Sequence, residues 1–288
     1  MSFKKILAPL TGGRRDATVL ASAFAAGRPF NAHVIALFVR PDPSDALPYF
    51  GEGVSGAVVQ EIIEASRAAA DKAAEEARAA LKAAAGLAQA TITERPASSG
   101  ALSCSYREVQ GNFADRVAEA GKLADLVVFG PLQEGDRAGL TDAFEAALIE
   151  TGRPVLLTAQ VPPRNFARKI AIGWDAGQAA ARAVTAALPY LATAEAIEIL
   201  NIRRAPLEPA SLDEVNEYLA LHGLIATERM VDSGAKSVGE ALLDAAASGG
   251  AGLLVMGGYG HSRLRELVIG GVTRHVVSHA DLPVLLVH

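Results

Sequence analysis

The sequence contains one series of segments twice, and this internal repeat limits the chain to a two-domain architecture. The stretch "KKILAPLTGG" at residues 4–13 resembles "RKIAIGWDAG" at residues 168–177: each has basic residues, a short apolar run and a glycine-containing turn. Three further pairs follow in the same order: "HVIALFVRPDP" with "AIEILNIRRAP", "ADLVVFGP" with "AGLLVMGG", and "RPVLLTA" with "LPVLLVH". Such an ordered set indicates a tandem repeat. The proline-containing connection after residue 160 predicts domains at residues 1–160 and 161–288.

Each repeat alternates short apolar strands with helical patterns. Strand candidates such as "VVF", "LLVM" and "PVLL" have almost no polar residues, which is typical of strands buried on both faces. Their alternation with helices indicates βαβ units. We predict an α/β fold with two tandem doubly wound domains related by a pseudo-two-fold axis, each with a five-stranded parallel sheet in the order 3-2-1-4-5. The first repeat alone carries a long helical pattern, over residues 55–86.

Composition excludes several function classes. The 288 residues carry a net charge of -5, which gives no basic surface for nucleic acid. The single cysteine, Cys104, rules out an intramolecular disulfide or a cysteine metal cluster. No apolar run approaches the ~20 residues that cross a bilayer, and no signal peptide is visible. We expect a cytoplasmic protein that contacts neither membrane nor nucleic acid.

The second repeat brings a candidate site together at one edge of its predicted sheet. In open parallel sheets, ligands bind beyond the carboxyl ends of the strands, at the switch point of strand order. There Asp175 follows strand 1 and the glycine-rich turn Gly257–Gly260 follows strand 4. Such a turn before a helix offers backbone N–H groups to phosphate. Because Gly270 and Gly271 interrupt the following helical pattern, a new helix should begin near Val272.

The spacing Gly257-x2-Gly260-x9-Gly270, followed by Gly271 and Thr273, resembles the nucleotide-binding signature Gly-x2-Gly-x9-Gly-Ser/Thr of the universal stress protein family. "KIAIGWDAG" and "DLPVLLVH" are similar to that family's first and last strands. The resemblance covers both halves. It implies a tandem universal stress protein with an adenine nucleotide α-hydrolase-like fold that binds ATP, with or without Mg²⁺.

The resemblance also implies the role of each site residue. Adenine would pack near Ile202 and Met256, and Asp175 would contact the sugar or the base. The phosphates would lie on the backbone at Gly257, Gly260 and Gly271, beside His261, with Gly270 and Thr273 completing the signature.

The chain departs from the family pattern in two places. Gly271 stands where the family has Ser or Thr, so a hydroxyl contact is lost, for which Thr273 is a partial substitute. In the first repeat Thr11 takes the Asp position, Gln133 replaces the second glycine, and Glu134 and Asp136 would repel phosphate. We therefore predict that only the second domain binds ATP in this way. The ligand of the first domain stays open.

Three functions remain under consideration. The first is an ATP-binding stress-response regulatory protein that acts on an unknown protein partner. Its "PVLLTA" and "PVLLVH" strands would pair antiparallel in an intramolecular pseudo-dimer, with a homodimer as a further assembly. The second is a slow ATP hydrolase, at most a weak ATPase, because no Walker lysine or paired carboxylates are visible. The third is a nucleotide-free scaffold or a tandem stress protein that binds another small ligand.

Simpler structural roles compete with the ligand roles. Asp175 is also a common type of helix cap, and the glycines also suit a strand–turn–helix connection. However, the first repeat reads as strand, turn and helix without most of these glycines. A ligand is therefore the better reason for them in the second. His275 and His279 lie at i, i+4 on a helix, but no third metal ligand of matching spacing accompanies them. The stretch "TGGRRDA" is interpreted as a helix start.

Overall fold

The computed structural model describes residues 2–43, 56–95, 100–132, 139–161, 165–203, 211–259 and 271–288. The chain forms two compact units. The N-terminal unit comprises Lys4–Val128 and Asp136–Thr151, and the C-terminal unit comprises Met1–Phe3, Phe129–Gly135 and Gly152–His288. Strands and helices alternate in both units, which confirms the α/β class. None of the helices in the described ranges combines the length and the hydropathy needed to span a membrane.

The first repeat builds a parallel sheet flanked by helices. Its elements are β1 (Lys5–Leu10), α1 (Asp16–Gly27), a 3₁₀ turn (Arg28–Phe30), β2 (His33–Arg40), α2 (Gly56–Ala88), β3 (Thr91–Ile92), β4 (Ser103–Gln110), α3 (Phe113–Gly121), β5 (Leu126–Phe129) and α4 (Leu140–Glu150). The strands lie in the order β3-β4-β2-β1-β5, and all neighbours are parallel. The predicted order 3-2-1-4 is therefore confirmed in β4, β2, β1 and β5.

The second repeat also builds a parallel sheet flanked by helices. Its elements are β7 (Lys169–Gly173), α5 (Gln178–Leu191), β8 (Ala196–Arg203), α6 (Asp213–Leu221), β9 (Thr227–Asp232), α7 (Val238–Ser248), β10 (Leu253–Gly257), α8 (Gly271–His279) and β11 (Val284–Val287). The strand order β9-β8-β7-β10-β11 confirms the predicted 3-2-1-4-5. These five strands are parallel because a helix connects each strand to the next.

The strand β6 (Val155–Leu157) pairs with the last strand of the chain. It runs antiparallel to β11, with Leu156 opposite Leu285. The predicted pairing of "PVLLTA" with "PVLLVH" is therefore confirmed. All residues of both strands are buried. The pairing therefore buries the apolar side chains from which the two strands were predicted.

Aromatic side chains close the core of the C-terminal unit around Tyr190 in α5. The Phe3 ring lies 4.9 Å from the Tyr190 ring between centroids, and the Phe166 ring packs edge-on against it at 5.6 Å. Phe3 is only 5% exposed and Tyr190 is fully buried. The beginning of the chain thus contributes a core side chain to the unit that contains the second repeat.

The long helix predicted over residues 55–86 is observed as α2, Gly56–Ala88. The short strand β3 was not predicted. Its two residues, Thr91 and Ile92, are both exposed, so no burial pattern identifies them in the sequence. The helix predicted to begin near Val272 is observed as α8, which begins at Gly271.

A buried histidine connects two strands of the N-terminal unit. The Nδ1 and Nε2 atoms of His33 in β2 each lie 2.9 Å from a serine hydroxyl, Ser103 and Ser105 of β4 respectively. Burial lowers the pKa of His33 from its ordinary 6.5, and the nearby positive charge of Lys5 lowers it further. The folded unit therefore holds His33 neutral between the two hydroxyls.

This burial predicts an acid-sensitive N-terminal unit. Below pH 6.5 the unfolded chain protonates His33 more readily than the folded chain, so the free energy of unfolding should fall as the pH drops through that value. Denaturant unfolding at pH about 7.5 and about 5.5 measures the loss. His33→Gln should reduce the difference between the two pH values, whereas the exposed-site variant His222→Gln keeps it because His33 is intact. An undiminished pH dependence in His33→Gln would contradict the assignment.

Candidate functional site

The carboxyl ends of three neighbouring strands meet at one edge of the C-terminal unit. Gly173 at the end of β7 is in register with Met256 of β10 on one side and with Leu200 of β8 on the other. Asp175 follows β7, Ile202 lies near the end of β8, and Gly257 ends β10. The structure therefore brings these predicted site residues to a common edge. Ile202 is half-buried and Met256 is buried.

Asp175 shapes the turn that leads from β7 into α5. Its Oδ1 accepts a hydrogen bond from the backbone N–H of Gly177 at 2.8 Å, and Gly177 is the residue that precedes α5. Between them Ala176 adopts a left-handed backbone with φ of 57°. Asp175 is exposed, so its carboxylate both holds the turn and faces solvent at the strand ends. The capping role and a ligand role are compatible in this geometry.

Gly257 lies where α5 comes closest to the sheet. A Cβ atom at this position would lie 2.6 Å from the backbone nitrogen of Ala180 and 2.7 Å from the carbonyl carbon of Ala179. The first turn of α5 therefore packs directly on the end of β10, and any side chain would displace it. The sequence analysis attributes these glycines to a ligand, but at Gly257 the packing of α5 already requires a glycine. The first repeat keeps a glycine, Gly130, at this one position.

Gly271 is in a different environment. It is exposed at the first position of α8, and a Cβ atom there would meet nothing within 4 Å. Thr273 in the same helical turn is only 5% exposed, and its hydroxyl oxygen accepts a hydrogen bond from the backbone N–H of Tyr259 at 3.3 Å. This bond connects the start of α8 to the end of β10. Thr273 thus has a structural use in addition to the predicted contact with a ligand.

Three predicted site residues, Gly260, His261 and Gly270, lie outside the described residues. The sequence analysis overlooked two aromatic neighbours of the site. Trp174 lies between β7 and Asp175, and its indole N–H donates to the carbonyl of Ser211 at 3.0 Å. Tyr259 follows β10 with a left-handed φ of 60°. A signal for Trp174 was present, because the chain's single tryptophan directly precedes the predicted site aspartate.

The N-terminal unit uses the corresponding turn for internal contacts. Asp16, which is 2% exposed, accepts hydrogen bonds from the backbone N–H groups of Thr11 (3.0 Å) and Gly12 (2.8 Å) and from the Thr11 hydroxyl (3.1 Å). A Cβ atom on Gly12 would lie 2.5 Å from the backbone oxygen of Ala73, so α2 covers the turn closely. The turn after β1 thus has a carboxylate of its own and a helix packed against it.

Metal-ligand geometry is absent from the described part of the chain. No group of three or more His, Cys, Asp or Glu side chains there is arranged to hold a metal ion. The rings of His275 and His279 stack in parallel with their centroids 4.3 Å apart. Nδ1 of His279 lies 2.9 Å from the backbone oxygen of His275, as expected for neighbouring helical turns.

Comparison with known proteins identifies the family to which the second repeat is similar. Residues 167–288 match the model of the universal stress protein family. These residues are a universal stress protein domain. The match contains every described residue of the site, from Asp175 to Thr273. No curated protein matches the sequence.

Solved structures extend the likeness in fold to the whole chain. A universal stress protein from Archaeoglobus fulgidus DSM 4304 matches with a TM-score of 0.69 at 14% identity, covering 98% of this chain and 97% of that one. A functionally unknown protein from Pseudomonas aeruginosa PAO1 matches with a TM-score of 0.59 at 13% identity, covering 99% and 92%. A putative universal stress protein from Pseudomonas aeruginosa UCBPP-PA14 matches with a TM-score of 0.56 at 13% identity, covering 99% and 93%. At these identities the likeness shows that the fold is shared, and it covers both repeats.

The two glycines of the universal stress protein domain should respond oppositely to the same substitution. Gly257→Ala forces a Cβ against α5 and should lower the free energy of unfolding by about 2 kcal/mol or more. Gly271→Ala adds a methyl group in open space within a helix and should leave stability unchanged or raise it by up to about 1 kcal/mol. Denaturant unfolding followed by Trp174 fluorescence measures both. Equal destabilisation by the two variants would contradict the difference in packing.

Proposed function

We propose that the universal stress protein domain binds ATP at the carboxyl ends of β7, β8 and β10. The observation that carries this proposal is the common edge shared by Asp175, Ile202 and Gly257, with α8 beginning beside it. At this edge the exposed Asp175 carboxylate can accept hydrogen bonds from ribose hydroxyls or an exocyclic amine. The half-buried Ile202 offers apolar contact to the base.

The phosphates would lie between the end of β10 and the start of α8. The first N–H groups of a helix have no partner within the helix, and the helix dipole places partial positive charge at this end. Gly271 exposes its backbone there without a side chain, which supports a close approach by phosphate. The bound species is ATP, with or without Mg²⁺.

The N-terminal unit does not bind ATP in this mode under the proposal. Asp16 already takes the N–H groups of Thr11 and Gly12, and its negative charge would repel a phosphate at that turn. Ala73 of α2 occupies the space directly over Gly12. We therefore expect one ATP for each chain.

The protein would act as a stress-response regulator through an as yet unknown protein partner. A bound nucleotide changes a conformation or a partner's affinity only if it binds one state better than the other. In this role ATP is a bound signal and its turnover is slow or absent. Release of inorganic phosphate over hours, measured on the purified protein, separates this role from that of an ATP hydrolase.

Titration of ATP followed by Trp174 fluorescence tests the site directly. Trp174 is the only tryptophan and adjoins Asp175, so occupation of the site should change its emission. Asp175→Asn keeps an oxygen for Gly177 N–H but removes the negative charge, and should weaken binding by about tenfold.

Asp281→Asn is the matched control. Asp281 is exposed and precedes β11, so it lies at the amino ends of the parallel strands, away from the proposed site at their carboxyl ends. Its variant should therefore bind ATP like the wild type. Equilibrium dialysis supplies the stoichiometry. Absence of ATP binding to the wild type, or equal weakening in both variants, would rule out the proposed site.

Gly271→Ser offers a test in the opposite direction. The substitution restores the hydroxyl of the family signature at a position where an added side chain meets no neighbour within 4 Å. We expect a gain in ATP affinity of a few-fold up to about tenfold, from one added hydrogen bond to phosphate. The same fluorescence titration measures it. An unchanged or lower affinity in a fully folded variant would place the phosphates away from residue 271.

A further inference from the structure

A cavity of about 470 Å³ opens in the N-terminal unit, at the carboxyl ends of β2 and β4. This volume falls within the roughly 300–1,000 Å³ that is usual for small-molecule sites. Because the unit's strands lie in the order β4-β2-β1-β5, the cavity is displaced from the switch point between β1 and β5. It is therefore a different location from the turn that Asp16 and Ala73 close.

One wall of the cavity is a single face of α2. Ile63, Arg67 and Asp71 line it at i, i+4 and i+8, so they follow one another along the helix at intervals of about 6 Å. The wall thus runs from an apolar side chain through a guanidinium to a carboxylate. Arg67 is exposed and makes no hydrogen bond or ion pair with any other described residue.

The facing wall comes from the ends of β2 and β4. Arg40, Asp42 and Pro43 line it from the β2 side and Gln110 from the β4 side. The Arg40 guanidinium is already occupied: its Nε donates to Glu108 at 2.8 Å and its Nη1 to Asp71 at 2.7 Å. Arg67 is therefore the cavity's available guanidinium among the described residues. The Gln110 side chain adds an amide donor and an amide acceptor.

The charges of the lining exclude a polyanion. Two guanidinium groups, Arg40 and Arg67, are balanced by two carboxylates, Asp42 and Asp71. A triphosphate would bring several negative charges towards both carboxylates with one guanidinium available to it. A ligand that carries one positive and one negative group matches the lining better, because each charge then meets a partner of opposite sign.

We propose that this cavity binds a small zwitterion of the α-amino acid class with an aliphatic side chain. The ligand's carboxylate lies against Arg67, with the planar guanidinium matched to its two oxygens. Its ammonium group faces the Asp42 carboxylate and the Oδ2 atom of Asp71, since Arg40 bonds to Oδ1 of Asp71. Its aliphatic side chain lies against Ile63 and Pro43. Gln110 donates to the ligand's remaining carboxylate lone pairs. Under this proposal the first repeat binds an amino acid, whereas the second repeat binds a nucleotide.

Isothermal titration of the full chain with L-leucine tests the proposal. The wild type should bind one L-leucine, and Arg67→Gln should weaken binding by at least about tenfold. Lys82→Gln is the matched control: Lys82 is exposed on the same helix but does not line the cavity, so the variant loses equal charge and should bind as the wild type does. Two analogues examine each charge separately. 4-Methylpentanoate lacks the ammonium group and 3-methylbutylamine lacks the carboxylate, and both should bind at least about tenfold more weakly.

Several outcomes would overturn the amino acid site. These are absence of L-leucine binding to the wild type, equal affinity in Arg67→Gln, or equal affinity for the amine and for L-leucine. The test is independent of the ATP proposal, because Trp174 belongs to the other unit and its emission should not respond to L-leucine. Displacement of L-leucine by ATP would show that both ligands bind at one site, and it would also overturn the inference.

Discussion

The candidate site depends on one close contact, the packing of the first turn of α5 on Gly257. Ala179 and Ala180 occupy the position that a side chain on residue 257 would take, so the helix and the end of β10 are held at backbone distance. This contact positions both segments that leave the edge. The Asp175 turn enters α5 on one side, and on the other Tyr259, which follows β10, donates its backbone N–H to the Thr273 hydroxyl. Interiors are packed densely, so a side chain at residue 257 would displace the first turn of α5.

The two repeats show how one turn can serve opposite purposes. After β7, the carboxylate of Asp175 holds the turn through Gly177 and remains exposed. After β1, the carboxylate of Asp16 is buried and binds the turn's own N–H groups. The second arrangement stabilises the unit without a ligand, because a residue of the chain supplies the negative charge. The long helix α2, which the second repeat lacks, then closes the space above it.

Much of the fold was predictable because it depends on local patterns. Uninterrupted apolar runs identified β5, β6, β10 and β11, the repeat identified the topology, and the Ala/Glu/Lys-rich run identified α2. What escaped prediction depends on the approach of distant segments. The packing of Ala73 over Gly12, the role of Phe3 beside Tyr190, and the cavity between α2 and the strand ends leave no periodic signal in the sequence. Gly257 was predicted only in part: the sequence identified its position after a strand, but not the packing of α5 against it.

The contacts of β6 and Phe3 have a consequence for the order in which the chain folds. The N-terminal unit's segments are all made early, so the ribosome can release this unit to fold while synthesis continues. Phe3 and β6 both leave the ribosome before Tyr190 and β11, the partners that they contact in the folded unit. Until β11 emerges, the side of β6 that pairs with it is an open apolar strand edge, which is the kind of edge that aggregates. This exposure of β6 therefore lasts from its own synthesis until the synthesis of β11.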